Sequence, residues 1–153
     1  MTWRLARSKF KANQGDGNKR ALRRIVRSGA EPGVLAYADG RPIGWCAVAP
    51  RQDFSFLERS RVLAPLDDLP VWSITCLFVA KEWRRRGLST KLIEAAVKLA
   101  RKHGARIVEA YPQDVKATLP APFIWTGVTP AFKRAGFKVV ARRSPLRPIM
   151  RLG

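Results

Sequence analysis

The chain has 153 residues, 46% of them hydrophobic, and sets 30 Lys and Arg against 11 Asp and Glu for a formal charge of +19. That length fits one domain, 1–153, able to bury ~70% of its unfolded surface around a single core, and no apolar run approaches the roughly 20 residues of a membrane span. With two cysteines and one histidine, a metal centre or a His-based triad is not expected, while the surplus positive charge asks for an anionic partner.

Met1 to Arg7 is followed by Ser8-Lys9 rather than an apolar signal core, so a cytoplasmic protein is expected. The first fifteen residues are polar and basic and read as irregular. Asn18 is a candidate cap for a helix over Lys19 to Arg27, with Leu22, Ile25 and Val26 as its apolar stripe. Val34 to Ala38 and Ile43 to Ala49 read as two strands of a hairpin around Asp39-Gly40-Arg41-Pro42, and Pro50 ends the second. Between Arg51 and Pro70 the pattern breaks; a short helix is expected over Asp53 to Arg59, and the stretch is a candidate acceptor-site wall. Val71 to Val79 is β-branched and aromatic, as in a strand covered on both faces.

From Leu88 to Lys102 the pattern turns helical: Leu88, Leu92, Ala95, Ala96 and Leu99 share one face, and Lys91, Glu94, Lys98, Arg101 and Lys102 the other. His103 then closes the helix before the stop signal Gly104. Arg106 to Tyr111 reads as a strand and Pro112 to Trp125 as a long loop. A helix near Thr129 to Ala135, capped by Thr129 with Pro130 at its first position, ends at Gly136. Strands are expected over Phe137 to Ala141 and Ile149 to Leu152. Cys46 and Cys76 each lie in a strand and read as buried reduced thiols. This order predicts an α/β (α+β) domain, a mixed, partly antiparallel sheet flanked by helices.

The most informative segment is the join Arg84-Arg85-Arg86-Gly87-Leu88-Ser89 between strand and helix. Amides in such a turn have no carbonyl partners in the helix, and the aligned peptide dipoles place about half a positive charge there, so an anion is the natural occupant. A solvated turn in an arginine-rich protein is the bland alternative. Strand, Arg-x-x-Gly-x-small and amphipathic helix together resemble the acyl-CoA-binding motif of the GCN5-related N-acetyltransferases (GNAT), whose pattern is Arg/Gln-x-x-Gly-x-Gly/Ala. Ser89 departs from the usual Gly or Ala but is still small. Ala131 to Phe137 is similar to the family's later helix ending in Gly-Phe, and the resemblance runs from about residue 34 to the C-terminus. The family's first strand has no clear counterpart: either Trp3 to Phe10 supplies it or it is missing.

The resemblance implies direct acetyl transfer from acetyl-CoA, as co-substrate, to a primary amine. It assigns the pyrophosphate to the amides of Arg86, Gly87, Ser89 and Thr90, with Arg84 and Arg85 as supporting charges or turn formers. A side chain at Gly87 would collide with a ligand pressed on the backbone. It assigns backbone groups of Leu77 and Val79 to pantetheine, and gives the Leu77 amide the thioester carbonyl and its oxyanion, worth ~3 kcal/mol for one good donor. Where some members carry a carboxylate this chain has Ser73, and where many carry a tyrosine acid it has Phe132. The replacements that two-residue alternation offers are Glu109 as a base through water and Tyr111 as the acid. Either has a plainer reading, Glu109 as a paired structural carboxylate and Tyr111 as a rim aromatic. Trp125 and Trp45 are candidate walls of the acceptor pocket, Trp45 being equally suited to the core.

The acceptor stays open among small molecules, peptide amines and, as in acetyltransferase toxins, aminoacyl-tRNA. The rival from another class is a basic RNA- or ribosome-binding module on a non-catalytic GNAT scaffold. Its support is the charge, clustered at Lys19 to Arg27, Arg84 to Arg86 and Arg142 to Arg151. A homodimer, with or without exchange of the last strand, also stays open.

Overall fold

A computed structural model describes residues 1–114 and 124–153. Most of the expected loop over 112–125 therefore lies outside the described residues. Two helices, α1 (Arg7–Ala12) and α2 (Asp16–Arg27), precede a hairpin of β1 (Gly33–Ala38) and β2 (Arg41–Pro50). A 3-10 turn at Arg51–Asp53 leads to α3 (Ser55–Arg59), and then come β3 (Val71–Val79), α4 (Leu88–Lys102) and β4 (Ile107–Ala110). The chain ends with α5 (Thr129–Arg134), β5 (Lys138–Ala141) and β6 (Ile149–Leu152). Among the described residues no helix is long and apolar enough to cross a membrane.

The six strands form one sheet in the order β1-β2-β3-β4-β6-β5. Among the six described strands β3 and β4 are the one parallel pair, joined by α4 as their crossover; β6 slots between β4 and β5 of its own chain. This is the mixed, partly antiparallel sheet that the sequence predicts. The hairpin turn is tighter than expected, because Ala38 pairs directly with Arg41 and leaves only Asp39-Gly40 between the strands.

The N-terminus departs from expectation. Trp3 to Phe10 supplies no strand: it turns at Trp3 and continues into α1, so β1 is the edge of the sheet. α1 escapes notice in the sequence because it buries no residue and so has no apolar stripe to read. α2 begins at Asp16, and Asn18 does not cap it; its side-chain amide donates instead to the Phe10 carbonyl at 3.0 Å. Thr129 likewise sits inside α5 rather than at its cap, with its hydroxyl 3.3 Å from the Gln113 carbonyl.

Two apolar clusters sandwich the sheet. On one face α4 and α5 bring Leu92, Ile93, Ala96 and Phe132 onto Val48, Ile74, Leu77, Val108 and Met150. On the other, Trp3, Phe54, Leu57 and Leu63 close over Ala49, Tyr111 and Ile149. Cys46 is fully buried in the first cluster, where burial pushes its thiol pKa up; Cys76 is half-buried, and both are free thiols.

Candidate functional site

The strand feeding the basic turn carries an irregularity that sets the site. Ala47 pairs with Cys76 but Val48 with Ile74, so Thr75 is an extra residue in β3. The bulge puts Ile74 and Leu77, three residues apart, into the same core. It also marks where β3 leaves its parallel neighbour, since β4 pairs only with Val71 to Ile74. Beyond it the Ala80 amide bonds the Ile43 carbonyl across β2 at 2.9 Å, so by alternation Leu77 and Val79 turn their backbone groups to the opposite, opened edge.

That edge is partly taken. The Val79 carbonyl accepts from Arg84 Nε at 3.0 Å, which makes Arg84 a former of the turn. The Leu77 amide donates to the Trp125 carbonyl at 2.6 Å, so the donor that the resemblance assigns to a thioester is engaged by the chain itself. Gly127 seals this contact: it holds φ at +81°, and a Cβ there would lie 2.7 Å from Leu77 Cδ1 and 2.8 Å from Phe132 Cε2. Only glycine lets the 124–127 turn lie this close to β3.

The basic turn itself is open. Arg85 and Gly87 take left-handed backbone, at φ 60° and 77°, and Gly87 is the N-cap of the 15-residue α4. Among the described residues the amides of Arg86, Gly87, Leu88 and Ser89 donate to no protein group, whereas the Thr90 amide is used by the Gly87 carbonyl at 3.0 Å. The expected Thr90 contact is thus a helix-start hydrogen bond, and Leu88 joins the free donors. A Cβ on Gly87 would meet nothing within 4 Å, so this glycine answers to backbone conformation and the space before it is free. Arg86 stacks over Trp83 at 5.5 Å, and Arg134 of α5, which the sequence does not single out, approaches Thr90 Oγ1 at 3.4 Å. Four amides, a helix N-terminus and flanking guanidinium groups suit a polyphosphate.

Glu109 and Tyr111 do come together, but beneath the surface. Glu109 is 1% and Tyr111 0% exposed. Tyr111 donates to Glu109 Oε1 at 2.6 Å, and its oxygen shares a 2.9 Å hydrogen bond with Ser73 Oγ. Arg51, 6% exposed and unsuspected from the sequence, donates through Nη1 to Glu109 Oε1 (3.2 Å) and to the Tyr111 oxygen (2.7 Å). Its Nη2 reaches the carbonyls of Leu57 and Leu63 at 3.2 and 2.6 Å. Arg151 closes the other side, with Nε 2.7 Å from Glu109 Oε2 and its remaining nitrogens on Asp67. Burial first, and then the Glu109 charge, raises the Tyr111 pKa, which holds its proton in place. In this arrangement both Glu109 oxygens are engaged, and the cluster fastens the 51–66 segment to the sheet.

Phe132 lies in the core edge-on to Phe137, with centroids 5.2 Å apart. Trp45 is half-buried beside Trp125, Thr75 and Cys76 around a small cavity of about 110 Å³. Trp125 stands edge-on to Trp3 at 5.5 Å and also faces a second, larger cavity. His103 caps the far end of α4, stacked on Trp72 at 5.3 Å with Nε2 2.8 Å from Glu31.

Residues 1–118 match the family model described as Acetyltransferase (GNAT) family. No curated protein matches the sequence. Solved structures share the fold at low identity. A GNAT-family protein from Desulfovibrio desulfuricans is 21% identical with a TM-score of 0.58, covering 90% of this chain and 79% of its own. The yncA protein of Salmonella typhimurium, whose structure holds its cofactor acetyl-CoA, is 17% identical with a TM-score of 0.60, over 90% and 73%. The paia N-acetyltransferase of Thermoplasma acidophilum, in complex with coenzyme A, is 16% identical with a TM-score of 0.57, over 98% and 83%.

Proposed function

The chain belongs to the GNAT acetyltransferase family, and from that premise we propose that it is an N-acetyltransferase moving the acetyl group of acetyl-CoA directly to a primary amine. The observation that carries this reading is the row of unpartnered amides from Arg86 to Ser89 over open space at the start of α4. Those amides would hold the pyrophosphate, with Arg85, Arg86 and Arg134 as the surrounding charge. The Val79 amide would serve the pantetheine arm along the opened β3 edge. Acetyl-CoA supplies the acyl group as a thioester: the acceptor nitrogen forms the new C–N bond as C–S breaks, and the amine's proton ends on the thiol.

The Leu77 amide enters this scheme only by exchanging its bond with the Trp125 carbonyl, which makes the 124–127 turn part of the binding event. Glu109 and Tyr111, as proton carriers, would require the Arg51 cluster to open; in our reading they position the acceptor wall through Arg51 instead. Calorimetric titration with acetyl-CoA at physiological salt is expected to give micromolar binding, with a change in tryptophan fluorescence as Trp125 moves. Absence of detectable binding to the intact protein sinks the proposal.

One observation favours a second reading. Lys19, Arg20, Arg23, Arg24 and Arg27 of α2 are exposed and form no ion pair among the described residues, a stripe suited to a polyanion such as RNA. Affinity for RNA should then fall steeply with added salt. A flat response removes that partner.

A further inference from the structure

A cavity of about 960 Å³ opens beside Trp125, between α1, α3 and the segment before β6. Trp3, Phe56, Leu63 and Trp125 give it apolar walls. Its charged lining is of one sign: Arg7, Lys11, Arg59 and Arg147, with no carboxylate among the described residues. Residues 115–123, Val-Lys-Ala-Thr-Leu-Pro-Ala-Pro-Phe, contain no acid to supply one.

Elsewhere among the described residues the buried and semi-buried arginines are paired with acids: Arg4 with Asp53, Arg51 with Glu109 and Arg151 with Asp67. Arg147 is treated differently. It is half-buried, burial lowers its pKa, and its Nη1 meets only neutral acceptors, the Tyr111 carbonyl at 3.0 Å and Thr126 Oγ1 at 3.2 Å. Arg59 likewise reaches only Ser55 Oγ, at 3.3 Å. A partly desolvated guanidinium with no counter-charge gains most from an anion brought by a ligand. The same field disfavours a bound ammonium, so an amine held here is kept in its neutral, nucleophilic form. Trp125 connects the cavity to the reacting edge, since the residue lines the one and its carbonyl sits on Leu77 of the other.

We propose that this cavity takes the acceptor, and that the acceptor is an amine combining an apolar body with an anionic group, carboxylate or phosphate. The assignment as acceptor rests on the acyl-transfer reading above; the ligand chemistry rests on the cavity alone. The test is equilibrium binding without acetyl-CoA, followed by Trp fluorescence and calorimetry, using matched probes. Phenylalanine against phenethylamine isolates the carboxylate, phosphotyramine against tyramine the phosphate, and spermidine stands for a purely cationic amine.

In at least one pair the member carrying the anionic group should bind about tenfold tighter than its partner, and Arg147→Gln should remove that advantage without weakening the partner that lacks the anion. Arg59→Gln, at an exposed site where folding is not at stake, should reduce it in the same direction. Equal affinities within both pairs, no binding by any probe, tighter binding of spermidine, or wild-type discrimination in both variants overturns the proposal. Because acetyl-CoA is absent, this outcome is independent of the acetyl-CoA titration: discrimination by the anion without cofactor binding leaves the cavity's ligand chemistry standing and removes both the enzyme and the acceptor role.

Discussion

Glu109→Gln is expected to cost this protein ~3–5 kcal/mol, lowering its melting temperature by on the order of 10 °C. Glu109 lies between two guanidinium groups, Arg51 with a side chain 7% exposed and Arg151 at 14%. Arg151 keeps Asp67 when the charge is removed; Arg51 keeps only Glu58, 3.4 Å away and half-exposed. A buried cation is then left without its main counter-charge, and the Leu57 and Leu63 carbonyls that it holds lose their anchor. The double variant Arg51→Met/Glu109→Leu should recover only the part due to the unpaired charge, because the Leu57 and Leu63 carbonyls and the Tyr111 hydroxyl still lose these buried partners. A Glu109→Gln protein that melts like the wild type but turns over far more slowly would return Glu109 to proton transfer.

Gly87→Glu is expected to weaken acetyl-CoA binding by roughly 100-fold or more while the protein remains folded. The left-handed backbone at Gly87 makes any side chain cost ~1–2 kcal/mol, but the new carboxylate sits at a helix N-terminus, where the dipole returns ~0.3–1 kcal/mol. Its effect on a ligand is different in kind, because it adds a negative charge at the residue that carries one of the four free amides, worth ~4 kcal/mol against another unit charge at 4 Å in a surface-like dielectric. Gly87→Ala separates the two effects, losing stability by the strain alone and keeping most of the affinity. Calorimetry on both variants with melting curves alongside gives the comparison, and undiminished binding by the Glu variant removes the anion site.

What the sequence reveals here is what short-range chemistry dictates. The β3–turn–α4 unit is legible because alternation, a left-handed glycine and a 3.6-residue stripe occur within about thirty residues of one another. The Asp39-Gly40 hairpin is legible for the same reason. The Arg51 cluster is not, because it joins side chains 58 and 60 residues apart and any of 30 basic residues could have served. A lone glutamate in an apolar strand signals that some cation must come; it does not say which. The engagement of Leu77 by Trp125 is hidden for a similar reason, since a backbone carbonyl carries no sequence signature at all.

Without a strand ahead of the hairpin, the outer rim of β1 ends the sheet with a row of backbone groups that no neighbouring strand among the described residues satisfies. Such a rim is a template on which a second polypeptide can lengthen the sheet, the first step toward self-association. Two features blunt it: β1 is only six residues long, and its register slips between Ala36 and Tyr37, so a guest segment could match only a few consecutive residues before falling out of step.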